Sequence, residues 1–195
     1  TKTQDPAQIF EGTPNDDIMY GTVYADTMNG YAGNDTIRGL QGVDLIKGGS
    51  GNDFISGDQG DDWLLGEDGN DTILGQSGND TITTGTGTDY VVGASGDDAI
   101  TVDGTGSKTI NGGAGTDSLT VTVSGITSLG DFTSISRASN NFDAAMTLNY
   151  ANGDTIVYQG IETFIVNGKT YTQVIENGDE LTGALWHADD HAIYL

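Results

Sequence analysis

Residues 30–101 consist of eight consecutive nine-residue units: GYAGNDTIR, GLQGVDLIK, GGSGNDFIS, GDQGDDWLL, GEDGNDTIL, GQSGNDTIT, TGTGTDYVV and GASGDDAIT. In every unit the fourth position is glycine, the sixth is aspartate and the eighth is a branched aliphatic residue. The aspartates are Asp35, Asp44, Asp53, Asp62, Asp71, Asp80, Asp89 and Asp98, and the aliphatic residues are Ile37, Ile46, Ile55, Leu64, Ile73, Ile82, Val91 and Ile100. Three residue types in constant phase indicate a repeating structure.

A period of nine is incompatible with a helix or with one continuous strand. Nine residues make about two and a half helical turns, so the aliphatic position would alternate between opposite faces. Because nine is odd, this position would also alternate across an uninterrupted strand. The unit therefore predicts a solenoid, with a short strand at positions seven to nine, position eight inward, and a chain reversal over positions one to six. Each unit then makes half a coil, and every second unit stacks in the same sheet.

The recurring aspartate places one carboxylate at the same point of every half coil. Neighbouring strands lie about 4.8 Å apart, so stacked carboxylates would repel each other unless a cation lay between them. Calcium fits best, because it accepts about six to eight oxygen ligands in loose geometry, whereas magnesium requires an octahedron. The chain has no cysteine and these units have no histidine, which disfavours zinc and copper. A row of solvated turn aspartates is the alternative, but it does not explain the strict register.

These units resemble the RTX, or haemolysin-type, calcium-binding nonapeptide G-G-x-G-x-D-x-(aliphatic)-x. The resemblance covers residues 12–120 and implies an all-β fold, a right-handed parallel β-roll with calcium ions between its turns. It implies that each ion binds the position-six carboxylates of two stacked turns. Carbonyl oxygens of positions two and four of the first turn, and of positions one and three of the second, complete the shell.

Carried onto this chain, the resemblance implies about seven regular calcium sites. The pairs are Asp26–Asp44, Asp35–Asp53, Asp44–Asp62, Asp53–Asp71, Asp62–Asp80, Asp71–Asp89 and Asp80–Asp98. The glycines of these turns are Gly30, Gly39, Gly48, Gly57, Gly66, Gly75 and Gly93 at position one, and Gly33, Gly42, Gly51, Gly60, Gly69, Gly78, Gly87 and Gly96 at position four. At position two the chain departs from the family, because Tyr31, Leu40, Asp58, Glu67, Gln76 and Ala94 replace the second glycine. Such a change preserves the carbonyl group, so it affects turn geometry rather than ligand identity.

At its N-terminal end the repeat is degenerate, as expected for the terminal units of a solenoid. We interpret Asp16 with Ile18, and Asp26 with Met28, as ligand and core positions in phase with the later units. A further site would then join Asp16 to Asp35.

At the C-terminal end of the repeats one residue is added after Ile100. Ser107 or Lys108 then stands where aspartate is expected, and we interpret Lys108 as the end of the ion column rather than as a ligand. The motif returns at Asp117, which predicts a last site between Asp98 and Asp117.

Beyond the repeats the sequence predicts antiparallel strands. Hydrophobic residues alternate from position 119 onward, and Asn152-Gly153 and Asn167-Gly168 separate successive runs, the second being a strong signal for a type I′ hairpin. We therefore divide the chain into a linker (1–11), the β-roll (12–120), an antiparallel β cap (121–175) and an acidic tail (176–195). The final residues, 192–195, resemble the uncleaved signal of type I secretion substrates, with packing against the cap as the equal alternative.

The composition is strongly acidic, with 29 acidic residues, six basic residues and a formal charge of −23 in a chain of 195 residues. Nucleic acid and anionic membranes are therefore unfavourable partners, whereas cations are favourable ones. No apolar run is long enough to predict a membrane span. The chain does not begin with methionine and shows no Sec-type signal. We expect a secreted bacterial protein of which this chain is a part, stabilised by metal instead of disulfides.

Several other residues suggest further functions, each with a simpler explanation. Trp63 and Tyr90 lie in outward-facing apolar patches, which we expect the C-terminal strands or an upstream domain to cover; a glycan or protein partner is the alternative. A threonine ladder of the ice-binding kind is interrupted by bulky residues. His187 and His191 have the spacing of a helical zinc site, but the acidic residues between them indicate surface histidines.

No nucleophile motif, phosphate loop or acid–base pair is recognisable, so we expect no catalytic activity in this chain. The leading hypothesis is a calcium-binding RTX module that folds on extracellular calcium and forms the C-terminal part of a larger type I-secreted protein. One alternative is a calcium-rigidified adhesion or glycan-binding module. The less favoured alternative is a fragment of a secreted enzyme whose catalytic domain lies upstream.

Overall fold

The computed structural model describes residues 7–126, 131–132, 134–137, 145–166, 168–174, 184–187 and 192–194. Within these residues the fold is all-β, with twenty strands in two sheets. No helix in these segments has both the length and the apolar character needed to cross a bilayer. Successive units alternate between the two sheets, so the predicted parallel solenoid of half coils is confirmed.

Each sheet collects every second strand of the repeat region. The first sheet contains, in spatial order, β1 (Ile9–Glu11), β3 (Thr27–Ala32), β5 (Leu45–Ser50), β7 (Trp63–Asp68), β9 (Thr81–Thr83), β11 (Ala99–Val102), β13 (Ser118–Val121), β17 (Thr163–Val166), β18 (Lys169–Val174), β19 (Ala184–His187) and β20 (Ala192–Tyr194). The second sheet contains β14 (Ser134–Arg137), β15 (Met146–Asn149), β16 (Thr155–Gln159), β12 (Lys108–Ala114), β10 (Asp89–Ser95), β8 (Thr72–Ser77), β6 (Phe54–Gln59), β4 (Thr36–Gln41) and β2 (Ile18–Tyr20).

Equivalent residues of stacked units lie opposite each other in parallel register. Ile37 pairs with Ile55, and Ile55 pairs with Ile73. The inward aliphatic side chains form one continuous core and are almost completely buried; they are Met28, Ile37, Ile46, Ile55, Leu64, Ile73, Ile82, Val91, Ile100, Ile110 and Leu119. Each such side chain contributes about 1.5–3 kcal/mol on burial. One per nine-residue unit makes a thin core, so the turns must contribute to stability as well.

The strands extend further into the turn than the sequence indicates. A regular strand such as β4 has six residues, positions seven to nine of one unit and one to three of the next, where the sequence predicts only positions seven to nine. Its inward-facing residues are Ile37 and Gly39. A Cβ atom on Gly39 would collide with Oδ2 of Asp44, so this inward position has no room for a side chain. The turn itself is confined to positions four to six.

Position two has a left-handed backbone even where it is not glycine. Its non-glycine residues in units 30–101 all have φ between 70° and 85°; they are Tyr31, Leu40, Asp58, Glu67, Gln76 and Ala94. The left-handed conformation costs a residue with a Cβ atom about 1–2 kcal/mol. The turn therefore keeps the geometry that glycine would give it, and the chain carries the strain at each of these positions.

Replacing Ala94 by glycine is expected to stabilise the protein by up to about 1 kcal/mol, because relief of left-handed strain exceeds the added entropy of the unfolded chain. The matched control is Ala99→Gly, since Ala99 is an exposed residue of β11 and has no positive φ. There the same change should cost about 0.5–1 kcal/mol. Thermal unfolding at one fixed calcium concentration measures both effects, and equal destabilisation of the two variants would contradict the assigned strain.

At the N-terminal end the predicted phase is wrong by one residue. Met19 is buried opposite Ile37, whereas Ile18 is 72% exposed. Asp17, and not Asp16, donates its backbone N–H to Oδ1 of Asp35 at 2.8 Å. The nine-residue register thus continues unbroken to Asp17, and a site joining Asp16 to Asp35 is not formed. β1, which pairs with β3, also extends the first sheet into the segment predicted as a linker.

The residue added after Ile100 shifts the register without interrupting either sheet. Val102 extends β11 and is buried in the core. In the second sheet Asp89 then lies opposite Lys108, and in the first sheet Ala99 lies opposite Ser118. The sheets therefore continue through β12 and β13.

The strands that follow the repeats are only partly antiparallel. β14, β15 and β16 pair in antiparallel fashion, as do β17, β18, β19 and β20. However, β16 and β17 pair in parallel with β12 and β13 and so add to the solenoid. The expectation of an entirely antiparallel segment over 121–175 is wrong, because hydrophobic alternation specifies a half-buried strand but not the direction of its neighbour.

The predicted hairpin between β17 and β18 is present. The type of its turn depends on Asn167, which lies outside the described residues. Within the predicted acidic tail, the backbones of β19 and β20 extend the first sheet. The prediction that the final residues are a secretion signal concerns a segment of which only Ala192–Tyr194 is described.

Candidate metal centre

The position-six aspartates form two columns, each made from every second unit. The first column contains Asp26, Asp44, Asp62, Asp80, Asp98 and Asp117, and the second column contains Asp35, Asp53, Asp71 and Asp89. Within each column the backbone N–H of one aspartate donates to Oδ1 of the next, at 2.7–3.0 Å. All of these residues are at most 3% exposed. The turns therefore hold closely stacked carboxylates away from water, and the stacked aspartates are the pairs that the sequence predicts.

The second oxygen of these carboxylates lacks a hydrogen-bond donor. Among the described residues, the buried Oδ2 atoms without such a partner include those of Asp35, Asp44, Asp53, Asp62, Asp71, Asp80, Asp98 and Asp117. Burial of an ionised carboxylate is costly unless an opposite charge and further polar contacts compensate. The same orphaned oxygen recurs along both columns, which indicates one recurring ligand rather than isolated defects.

Backbone carbonyl groups approach the same spaces. The carbonyl oxygen of Gly57, at position one, lies beside Gly39 of the preceding turn, where Oδ2 of Asp44 also lies. The carbonyl oxygen of Gly42, at position four, is directed toward Gly60 of the following turn. The position-three carbonyl of Gln59 faces back and accepts the N–H of Gly42 at 2.9 Å. These directions agree with the ligand positions that the resemblance implies.

The donor set available between two turns consists of oxygen atoms. No group of three or more histidine, cysteine, aspartate or glutamate side chains is arranged for metal binding in the described part of the chain. Two carboxylates and several carbonyl groups are therefore the ligands on offer. A negatively charged, all-oxygen set of this kind fits Ca²⁺, which takes carboxylate and backbone oxygens together.

Burial raises the pKa of these carboxyl groups. It raises the pKa of Asp44, Asp71 and Asp80 to about 7 and that of Asp98 to about 6. The backbone N–H bonded to each carboxylate opposes the increase in pKa, and neighbouring carboxylates reinforce it. Without metal, the folded columns thus hold protons near neutral pH that the unfolded chain has already released.

The metal-free fold should therefore be more stable at pH 5 than at pH 7.5. Carboxyl groups whose folded pKa is raised stabilise the fold below their unfolded pKa of about 4 and lose that contribution as pH rises through about 6–7. Circular dichroism of metal-stripped protein across this range measures the change. In saturating calcium the trend should reverse, because protons then compete with the ion. A metal-free fold that strengthens toward pH 7.5 would contradict the burial of these groups.

The turn that contains Asp26 differs from the later ones. Oδ2 of Asp26 accepts hydrogen bonds from the backbone N–H of Thr22 at 2.6 Å and from its hydroxyl at 2.9 Å. Thr13 satisfies Asp17 in the same way. Both carboxylates are thus capped from within their own turns. In the predicted Asp26–Asp44 site, only Asp44 has an Oδ2 atom without a hydrogen-bond partner. Calcium binding at this site stays a prediction.

A second ladder, at position five, was not predicted from the sequence. The side-chain oxygen of Asn34 accepts the N–H of Asn52 in the next turn, and that of Asn52 accepts the N–H of Asn70, both at 2.8 Å. Asp61 and Asn79 continue the pattern in the other column of turns, with the N–H of Asn79 donating to Asp61 at 2.7 Å. The recurrence of Asn or Asp at position five is the signal that could have revealed it.

The strand arrangement bears on two other expectations, the first for the exposed aromatic residues and the second for the histidines. Trp63 is 58% and Tyr90 47% exposed. The described C-terminal strands join the ends of the sheets, so the expectation that they cover these patches is wrong. Cover by an upstream domain or a partner stays a prediction. His187 lies in β19 opposite Tyr171, and not in the helix that a zinc site of this spacing would need. His191 lies outside the described residues, so the interpretation of both as surface histidines stays a prediction.

The fold and the site define a parallel β-solenoid that directs buried carboxylates and carbonyl groups between its turns. The family model for the RTX calcium-binding nonapeptide repeat (four copies) matches residues 11–46, 38–73, 65–100 and 102–121, more than half of the chain. The chain therefore belongs to the RTX family of calcium-binding nonapeptide-repeat proteins. No curated protein sequence matches it.

Solved structures similar to this chain include those of two bacterial proteins. The extracellular lipase LipA from Serratia marcescens is 16% identical with a TM-score of 0.40, over 82% of this chain and 38% of the lipase. The AlgE6R3 subunit of the Azotobacter vinelandii mannuronan C5-epimerase is 23% identical with a TM-score of 0.35, over 80% of this chain and 79% of the subunit. The chain thus spans 38% of the length of the lipase.

Proposed function

We propose that this chain is a calcium-binding module that folds when calcium fills the spaces between its turns. The observation that carries the proposal is the buried Oδ2 atom without a hydrogen-bond partner, repeated at Asp44, Asp62 and Asp80 and in the other regular units. Calcium supplies positive charge and accepts several oxygen ligands at once. The residues of the chain hold the carboxylates in register, exclude water and keep the carbonyl groups directed between turns.

Calcium binding is expected to decide whether the roll is folded. A site contributes about 1.4 kcal/mol when free calcium is about ten times the dissociation constant, so seven sites contribute on the order of 10 kcal/mol. This equals the whole stability of an ordinary domain. Extracellular calcium modules bind with dissociation constants of about 10⁻⁴–10⁻³ M, so cytosolic calcium would leave the sites without that contribution.

This dependence supports a role in secretion. A chain of net charge −23 with a thin core and unneutralised columns should remain unfolded in the cytosol. It would be exported in that state and would fold outside the cell. We therefore propose a secreted bacterial protein, exported by type I secretion, with this chain toward its C-terminus. Catalytic activity, if the protein has it, would belong to a domain upstream of the module.

A second candidate is a calcium-rigidified surface that binds a glycan or protein. Exposed aromatic side chains at Trp63, Tyr90 and Tyr31 favour it, since all three are about half exposed on an otherwise acidic protein. Binding of the calcium-loaded chain to a glycan array or to cells, lost on replacement of Trp63 by alanine, would support this candidate.

The folding proposal is tested by circular dichroism and calorimetry of metal-stripped protein titrated with calcium. We expect a cooperative gain of β signal and uptake of several ions per chain. Magnesium at the same concentration should produce little folding, because it dehydrates reluctantly and requires an octahedral site. A full β spectrum in strong chelator at neutral pH would refute the proposal.

Substitution of one column aspartate should weaken two neighbouring sites. In Asp62→Asn the retained amide oxygen can still accept the N–H of Asp44, but the charge shared with Asp44 and Asp80 is lost. We expect a loss of about 2–3 kcal/mol in calcium-dependent stability, from two sites at about 1.4 kcal/mol each. The measurement is the calcium concentration at the midpoint of folding.

The matched control is Asp61→Asn in the same turn. Asp61 is exposed at position five, where asparagine occurs at Asn34, Asn52 and Asn70, and its Oδ1 accepts the N–H of Asn79. An amide oxygen can make the same bond, so the folding midpoint should barely move. Equal shifts in the two variants would indicate a general effect of charge instead of coordination.

A further inference from the structure

The second column ends at Lys108, whose ammonium group lies inside the protein. The Lys108 side chain is fully buried, and its Nζ lies 2.7 Å from Oδ2 of Asp89. Nζ also donates hydrogen bonds to the carbonyl oxygens of Gly87 at 2.7 Å, Gly85 at 2.9 Å and Thr105 at 3.1 Å. Four oxygen atoms thus converge on one positive charge.

These four oxygen atoms occupy positions of the repeat at which the other turns offer ligands for calcium. Gly85 and Gly87 occupy positions two and four of one turn, and Asp89 occupies position six. Thr105 occupies position three of the next turn, where Lys108 stands in place of the second aspartate. Because Lys108 has no carboxylate to accept it, the N–H of Asp89 donates to the carbonyl oxygen of Ser107 at 3.0 Å.

We propose that the Lys108 ammonium is a tethered cation that takes the place of calcium at the end of the second column. An ammonium ion satisfies oxygen atoms at the observed 2.7–3.1 Å, whereas Ca²⁺ requires about 2.3–2.6 Å. The pocket therefore holds one cation or the other, and the lysine keeps it closed to metal. This inference rests on calcium binding by the remaining turns, as proposed above.

The test compares calcium stoichiometry at saturation in full-length wild type, Lys108→Asp and Lys108→Met, by equilibrium dialysis with elemental analysis. Lys108→Asp restores the aspartate pair and should bind one ion more than wild type. Lys108→Met keeps the length and loses the charge, so it should bind no additional ion with wild-type affinity. It should also melt about 6–20 °C lower, because Asp89 loses its buried partner. The same stoichiometry for wild type and a folded Lys108→Asp variant would overturn the proposal.

A crystal structure of the calcium-loaded wild type provides a test that does not depend on folding of a variant. Nζ of Lys108 should remain among the oxygens of Asp89, Gly85, Gly87 and Thr105, with calcium bound elsewhere in the columns. An ion in that pocket with the lysine turned outward would overturn the proposal. A wild type that binds no calcium at all would instead refute the proposed function.

The first column ends differently, in a carboxylate from outside the repeats. The backbone N–H of Asp117 donates to Oε2 of Glu162 at 2.7 Å, as each column aspartate donates to the next. Strands β13 and β17 place Ser118 opposite Thr163, so Glu162 continues the column. Oδ2 of Asp117 is buried and has no hydrogen-bond partner among the described residues.

Carbonyl groups surround this position as they surround the regular ones. A Cβ atom on Gly112, at position one, would collide with the carbonyl oxygen of Gly160 and would lie 2.6 Å from Oδ2 of Asp117. Gly39 has the same relation to Gly57 and Asp44. We infer that Asp117 and Glu162 bind one further calcium ion, which joins β17 to the end of the repeats.

In the same stoichiometry assay Glu162→Gln should bind one ion fewer than wild type. The glutamine can still accept the N–H of Asp117, so the strand pairing is retained. The control is Asp97→Asn, which neutralises an exposed position-five residue whose Oδ1 accepts the N–H of Thr116 at 2.8 Å. That variant should bind as many ions as wild type. An unchanged ion count in Glu162→Gln, with a wild type that binds several ions, would overturn this inference alone.

Discussion

The structure depends on one constraint, the close stacking of buried carboxylates in regular turns that offer a single hydrogen bond to a carboxylate such as Asp62. Oδ1 is satisfied by the backbone of the preceding turn, and Oδ2 is not satisfied by the protein. The ionised turns therefore carry an electrostatic cost that a cation can offset. Asp26 shows the contrast, because Thr22 donates to its Oδ2 within the same turn. One threonine, Thr22, thus distinguishes the turn of Asp26, whose Oδ2 is hydrogen-bonded, from regular turns such as that of Asp62, whose Oδ2 atom lacks a donor.

The other features of the unit follow from this constraint. Glycine at position one leaves space beside Oδ2, since any Cβ atom on Gly39 would meet Asp44. Position two adopts a left-handed backbone even as Leu40 or Gln76, so turn shape is maintained against local preference. The thin aliphatic core cannot fix the turns alone, because it contributes one side chain per unit. The charge of the columns therefore needs compensation, and at the end of the second column the chain itself places the ammonium group of Lys108 2.7 Å from Oδ2 of Asp89.

The sequence was sufficient to predict the solenoid, the inward aliphatic column and the pairing of the aspartates, because a strict period constrains all three. It was insufficient where the period ends. The doublet of Asp16 and Asp17 offered two phases, and only pairing with Ile37 selects Met19 as the core residue. Glu162 could not be assigned, since it lies 45 positions after Asp117 in the sequence. Lys108 was recognised as an end, but its contacts with three carbonyl groups require the folded turn.

The two sheets take alternate units, and this has a consequence for how such a chain can lengthen. A duplication of eighteen residues inserts a complete coil and returns every later strand to its own sheet. A duplication of nine residues would exchange the sheets for everything downstream. Lys108 would then terminate the opposite stack, and Glu162 would follow a different line of aspartates. Only insertion of whole coils therefore leaves Lys108 and Glu162 at the ends of the columns that they now terminate.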